Sequence, residues 1–110
     1  MKQEFYINPD ITKAETLPAL FYKDQATFEA LKENVFLKSW QFIGDENLVR
    51  LPQSVHPFVL LDAFLTEPMV LTRDKARHIN CLANVCTHRG NLVALNPGNS
   101  KKLTCMYHGR

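Results

Sequence analysis

The sequence predicts an α+β fold, with an N-terminal arm and one helix ahead of a small, mostly antiparallel β-sheet. Three observations predict it. Residues 24–40 carry apolar side chains at helical spacing. From Val49 onward the texture changes to short, β-branched-rich apolar runs punctuated by prolines and polar turns. No repeat, low-complexity tract or long linker divides the 110 residues, a length that suits one small domain. Within that domain, residues 1–48 read as arm and helix and residues 49–110 as the sheet region.

The elements follow in order. Residues 1–20 contain Pro9 and Pro18 and show no period, which predicts an extended arm. In "DQATFEALKENVFLKSW" Asp24 is placed to cap a helix by accepting an N–H from its first turn. Phe28, Leu31, Val35 and Trp40 fall near one face, with Leu37 beside them, and predict a helix that packs on a core. Gly44 marks the exit. "HPFVLLDAF", "EPMVLTRD" and "HINCLANVC" then read as strands joined by tight turns. "NLVAL" and "KKLTC" flank "NPGNS", a turn signal built on Pro97 and Gly98, and predict a closing hairpin.

Composition excludes several functions. The net charge is +2 and the 13 Lys and Arg are spread along the chain. Lys101-Lys102 is the one short basic run and reads as a solvated hairpin tip, so no nucleic-acid partner is expected. No apolar run approaches the roughly 18 residues of a membrane span, and "MKQEFYINPD" lacks an apolar signal core. The expectation is a cytoplasmic protein without a membrane partner. Three cysteines, an odd number in a reducing compartment, suit metal ligation better than a disulfide framework. No nucleophile elbow, phosphate loop or paired-carboxylate spacing is present, so no catalytic residue is assigned.

The chemistry concentrates in two pairs, Cys86-x-His88 and, sixteen residues on, Cys105-x-x-His108. A hairpin between them would bring its ends together and face the pairs. Side chains at i and i+2 of an extended segment point the same way, with about 7 Å between their backbone positions. That separation suits two ligands on two neighbouring iron atoms. A 2Fe–2S cluster could take Cys86 and Cys105 on one iron and His88 and His108 on the other, the mixed ligation of a Rieske centre. Zinc is the competing metal, since Cys₂His₂ is a common zinc set. Finger patterns, however, place Cys with Cys and His with His, whereas each arm here holds one of each. The zinc alternative implies a non-enzymatic, zinc-binding or thiol-stabilised binding module.

Gly90 and Gly109 follow the two histidines, where loops must turn. The Tyr107 hydroxyl is a candidate donor to a cluster sulfur, or its ring simply packs. Arg89 reads as a structural or partner-contacting charge. Cys81 reads as a buried apolar residue, and His56 and His78 as ordinary surface histidines.

"NVCTHRG" followed by "CMYHG" resembles the N-terminal Rieske domain of the alpha subunit of aromatic-ring-hydroxylating oxygenases, a family that includes choline- and carnitine-type monooxygenases. "TLPALFYKDQATFEALKENVFLKSWQFIGDENLV" is similar to that family's opening, and "PMVLTRD" to a strand with a closing arginine. The resemblance implies a Rieske-like fold. It also implies a 2Fe–2S cluster bound by Cys86, His88, Cys105 and His108, and an electron-transfer role. It implies a ferredoxin or reductase as electron donor and a homo-oligomeric full-length protein. Family members add a catalytic domain with a mononuclear non-haem iron, for which this chain shows no ligands. They also carry a tryptophan where this chain has Arg110. The expectation is therefore a truncated form, an incomplete Rieske domain without the catalytic one.

Overall fold

A computed structural model of the chain describes residues 4–109. The chain folds as two compact units, Met1–Phe42 and Ile43–Arg110.

In the first unit a 3-10 turn, Ala19–Tyr22, precedes helix α1, Gln25–Asn34. Asp24 caps α1 as its sequence position predicts, accepting from the Thr27 N–H and hydroxyl at 2.7 Å each. The helix stops earlier than its apolar spacing suggests. The Asn34 side chain donates to the Ala30 carbonyl at 2.8 Å, and β-branched Val35 forms the C-cap. A second 3-10 turn, Phe36–Lys38, follows. The expected core-packing face is absent: α1 buries no residue, and Trp40 is fully exposed.

The second unit is a four-stranded antiparallel sheet. Its strands are β1 (Ser54–Leu60), β2 (Glu67–Arg73), β3 (Ile79–Ala83) and β4 (Gly98–Asn99), in the order β3-β2-β1-β4. Val70 and Leu71 are adjacent on β2 and both buried, so β2 is covered on both faces. Among the described residues, Val49, Val55, Val70, Leu71 and Cys105 are the buried hydrophobic ones. Each fully buried valine contributes about 1.5–3 kcal/mol. Pro57 and Pro68 both lie within the β1–β2 ladder but outside the second ladder that each strand makes. Pro57 lies past the two β1 residues that β4 pairs, and Pro68 lies one residue before the β2–β3 ladder begins.

Buried Arg73 ties the sheet to the 3-10 turn Glu46–Val49. Its Nε donates to the Val49 carbonyl at 2.6 Å, one Nη to the Arg77 carbonyl at 3.1 Å and the other to Glu46 at 3.2 Å. The Glu46 carboxylate is largely exposed, so its ion pair contributes little. The Val49 carbonyl bond carries the tie, while the Arg77 carbonyl holds the guanidinium to the β2–β3 turn.

Three further sequence expectations differ from the structure. The strand read through Phe64 stops at Leu60, because Leu61 turns left-handed and its carbonyl collects the N–H groups of Phe64, Leu65 and Thr66. Cys81 is exposed, because it lies on β3, where all five residues are exposed. The closing hairpin does not form. Pro97-Gly98 is its predicted turn, but Gly98-Asn99 is instead strand β4, paired with Val55 and Ser54. Leu92 makes only an isolated bridge to Val85, and residues 101–105 form no strand. The β1 edge offers partners for backbone groups that a local turn would leave to solvent. Among the described residues, no helix is long and apolar enough to cross a membrane.

Candidate metal centre

The two Cys–His segments are short loops closed in the same way. The Gly90 N–H donates to the Cys86 carbonyl at 2.8 Å, and the Gly109 N–H to the Cys105 carbonyl at 2.8 Å. Each glycine stands four residues after its cysteine in a left-handed conformation, φ +69° and +73°. A Cβ would meet nothing within 4 Å at either position. The requirement is therefore for backbone conformation, not for space.

The first loop leaves β3 and returns on a stem. Val85 bridges Leu92, and the Cys86 N–H donates to the Asn91 carbonyl at 2.7 Å. Buried Asn84 locks the base of the stem. Its Nδ2 donates to the Ala94 carbonyl at 2.7 Å, and its Oδ1 accepts from the N–H groups of Val93 at 3.2 Å and Ala94 at 2.8 Å. The second loop follows Leu103 and is anchored by Cys105, which is only 2% exposed.

Folding sorts the four donors by element. The sequence gives each loop one sulfur and one nitrogen, but the structure sets sulfur beside sulfur and nitrogen beside nitrogen. Cys86 and Cys105 line one cleft, and the Cys86 thiol is close enough to help lower the Cys105 pKa. The Nδ1 atoms of His88 and His108 lie 3.1 Å apart, with the rings edge to face at a centroid distance of 4.8 Å. The cysteines are half-buried and buried, and both histidines are exposed. Two donors on one tetrahedral metal, each about 2.1 Å from it, stand about 3.4 Å apart, so the nitrogen pair has the spacing of two ligands on one ion. Among the described residues, no three His, Cys, Asp or Glu side chains converge as a mononuclear site requires. A cysteine pair and a histidine pair fit the mixed ligation of a two-iron unit.

Electrostatics favour negative charge at the buried sulfur. The Tyr107 main-chain N–H, the strongest influence, holds the Cys105 thiol below its ordinary pKa. The Cys86 thiol, the Asn91 amide and the His108 N–H add to it, while burial opposes them. Tyr107 thus reaches sulfur through its backbone. Its ring is more than half exposed and tilts against His108 at 4.0 Å. An apolar cleft of about 220 Å³ lies beside the thiols, lined in part by Val70, Val85, Val93 and Leu103.

Sequence reasoning singled out the four donors and both glycines but missed Asn84 and the role of Asn91. A polar residue inside the apolar run "CLANVC" was the available signal for Asn84, since a buried amide must find partners. His78 is exposed and faces Asp74 at 3.2 Å, away from the donor set.

The family model for the Rieske [2Fe-2S] domain matches residues 39–110. The chain belongs to this Rieske domain family. It is 35% identical over 109 residues to the carnitine monooxygenase oxygenase subunit of Escherichia coli (strain K12), covering 98% of this chain and 28% of that protein. It is 37% identical over 90 residues to the biphenyl dioxygenase subunit alpha of Paraburkholderia xenovorans (strain LB400), covering 80% of this chain and 18% of the relative. The quaternary ammonium Rieske monooxygenase CntA, solved with L-carnitine, matches with a TM-score of 0.75 at 31% identity, over 87% of this chain and 26% of its own. Naphthalene 1,2-dioxygenase matches with a TM-score of 0.66 at 25% identity, over 82% of this chain and 20% of its own. The Rieske chain thus spans less than a third of the length of these relatives, and its α+β fold is theirs over the matched part.

Proposed function

We propose that this chain is the electron-carrying part of an oxygenase alpha subunit, with Cys86 and Cys105 as ligands to one iron and His88 and His108 as ligands to the other. One observation carries the reading: donors that alternate along the chain are regrouped in space into a sulfur pair and a nitrogen pair. When bound, a 2Fe–2S cluster so ligated supplies one-electron storage at about −150 to +300 mV, against about −400 mV for four-cysteine plant-type ferredoxins.

The chain's own residues divide the remaining work. Cys86 and Cys105 keep the sulfur side out of water. The main-chain N–H groups of Tyr107 and His108 point positive dipoles at Cys105 and favour the extra negative charge of a reduced centre. Exposed His88 and His108 form the face through which an electron enters and leaves. Arg89, exposed beside His88, gives that face a cation suited to an acidic partner. That partner is a ferredoxin or reductase in the cytoplasm, and the electron passes on to a mononuclear iron in the whole, homo-oligomeric oxygenase.

Chemical analysis of anaerobically purified chain tests the reading. Two iron and two sulfide per chain, with visible absorption that His88→Ala and Cys105→Ser each abolish, is the expected result. A colourless protein with one zinc, or a normal visible spectrum in His88→Ala, refutes it.

A further inference from the structure

Asn91 touches both cysteine loops. Its main-chain carbonyl accepts the Cys86 N–H at 2.7 Å, within the first loop. Its side-chain Nδ2 lies 3.7 Å from Cys105 Sγ, across in the second. The same amide nitrogen donates to the Leu92 carbonyl at 3.2 Å. One N–H therefore fixes the side chain on its own loop while the other points at sulfur, and both amide donors are used. Among the described residues, this is the side-chain amide that joins the first loop to a donor atom of the second.

We propose that Asn91 is a positioning residue that clasps the two cysteine loops together and, through its amide N–H on Cys105 Sγ, raises the midpoint potential of the bound cluster. The inference rests on the reading of Cys86 and Cys105 as cluster ligands. Its physics is that of any donor aimed at a ligand sulfur. Reduction adds negative charge to the centre, the N–H dipole stabilises that charge, and the reduced form gains more than the oxidised form. The clasp acts on geometry as well. Backbone and side chain of one residue hold Cys86 and Cys105 at a common separation, so less ordering remains when a cluster binds. Exposure weakens the bond without removing it, because Leu92 holds the amide in place.

The test compares the chain with Asn91→Leu, which removes the donor, Asn91→Asp, which keeps the shape but replaces the donor with an acceptor, and Asn91→Gln, which restores a donor one carbon farther out. All are loaded with iron and sulfide. The readouts are visible absorption, the electron paramagnetic resonance spectrum of the reduced centre, and the midpoint from a redox titration. Asn91→Leu should keep the Rieske spectrum and lower the reduced-to-oxidised ratio at fixed potential by up to about tenfold, equivalent to about 59 mV for one electron. Asn91→Asp should lower it further, and Asn91→Gln should recover part of the loss. Failure of both Leu and Asp variants to load, with an unchanged far-ultraviolet circular dichroism spectrum, supports the clasp. Loaded Leu and Asp variants with the parent's midpoint overturn the proposal and leave the ligand reading intact. A parent chain that takes up zinc but no iron–sulfur cluster overturns both.

Discussion

The two Cys–His loops share one closing turn but differ in what holds them. In each, a left-handed glycine donates to the carbonyl of the cysteine four residues back. The first loop then returns to its own stem, where Val85 bridges Leu92 and buried Asn84 makes three hydrogen bonds to residues 93 and 94. The second has no such stem among the described residues. It is held by its own turn, by burial of Cys105 and by the Asn91 amide from the first. A single turn motif sets the shape of a loop, while the residues beneath it decide how firmly that shape is kept.

The largest test of this contrast is Asn84→Ala. It strands two N–H groups and a carbonyl near the sheet, and should cost roughly 2–4 kcal/mol in urea unfolding. Met106→Ala, on the exposed second loop, should stay within about 0.5 kcal/mol in the same measurement. Equal losses would remove the asymmetry.

The glycines give a smaller and sharper comparison. Neither site crowds a Cβ, so Gly90→Ala and Gly109→Ala impose the same left-handed strain of about 1–2 kcal/mol. On the braced first loop that strain should appear in full as a lower Tm. On the second, the turn should open instead, leaving Tm nearly unchanged and reducing iron uptake. Matching changes in both quantities would show that the two loops are equally firm.

The smallest effect lies outside the loops, in the β2–β3 turn that leads into the first of them. The His78 main-chain N–H above all, and then its ring, hold the Asp74 carboxyl below its ordinary value of 3.8. A carboxyl lowered in the folded state contributes stability that is present above its unfolded pKa and lost as pH falls through the folded one. Asp74→Asn should therefore lose this small contribution above about pH 4, converge with the parent at lower pH, and so flatten the acid limb of the stability curve. Unfolding followed across that window gives the answer, and an unchanged acid limb would exclude the link.

Much of the fold was legible because its signals are local. Asp24 caps α1 through a residue three positions away, and the β-branched runs alternate within a few residues. The apolar spacing over residues 28–40 misled for the same reason. Periodicity records where a helix would be apolar, and carries no information about whether a partner covers that face or where the Asn34 side chain ends it. The turn signal at Pro97-Gly98 was likewise sound as local chemistry. It yielded to β4 pairing because the open β1 edge is more than forty residues distant in sequence.

The sequence by itself determined which atoms are available: two sulfurs, two imidazoles, two glycines at turn positions, and a pattern specific enough to name a family. Only the tertiary structure decided how those atoms are grouped. Sulfur meets sulfur and nitrogen meets nitrogen because the loops approach each other from separate parts of the fold, with Asn84 fixing one and Asn91 reaching the other. Donor identity is a property of single residues. Donor pairing depends on two separate segments meeting, and that is a property of the folded chain.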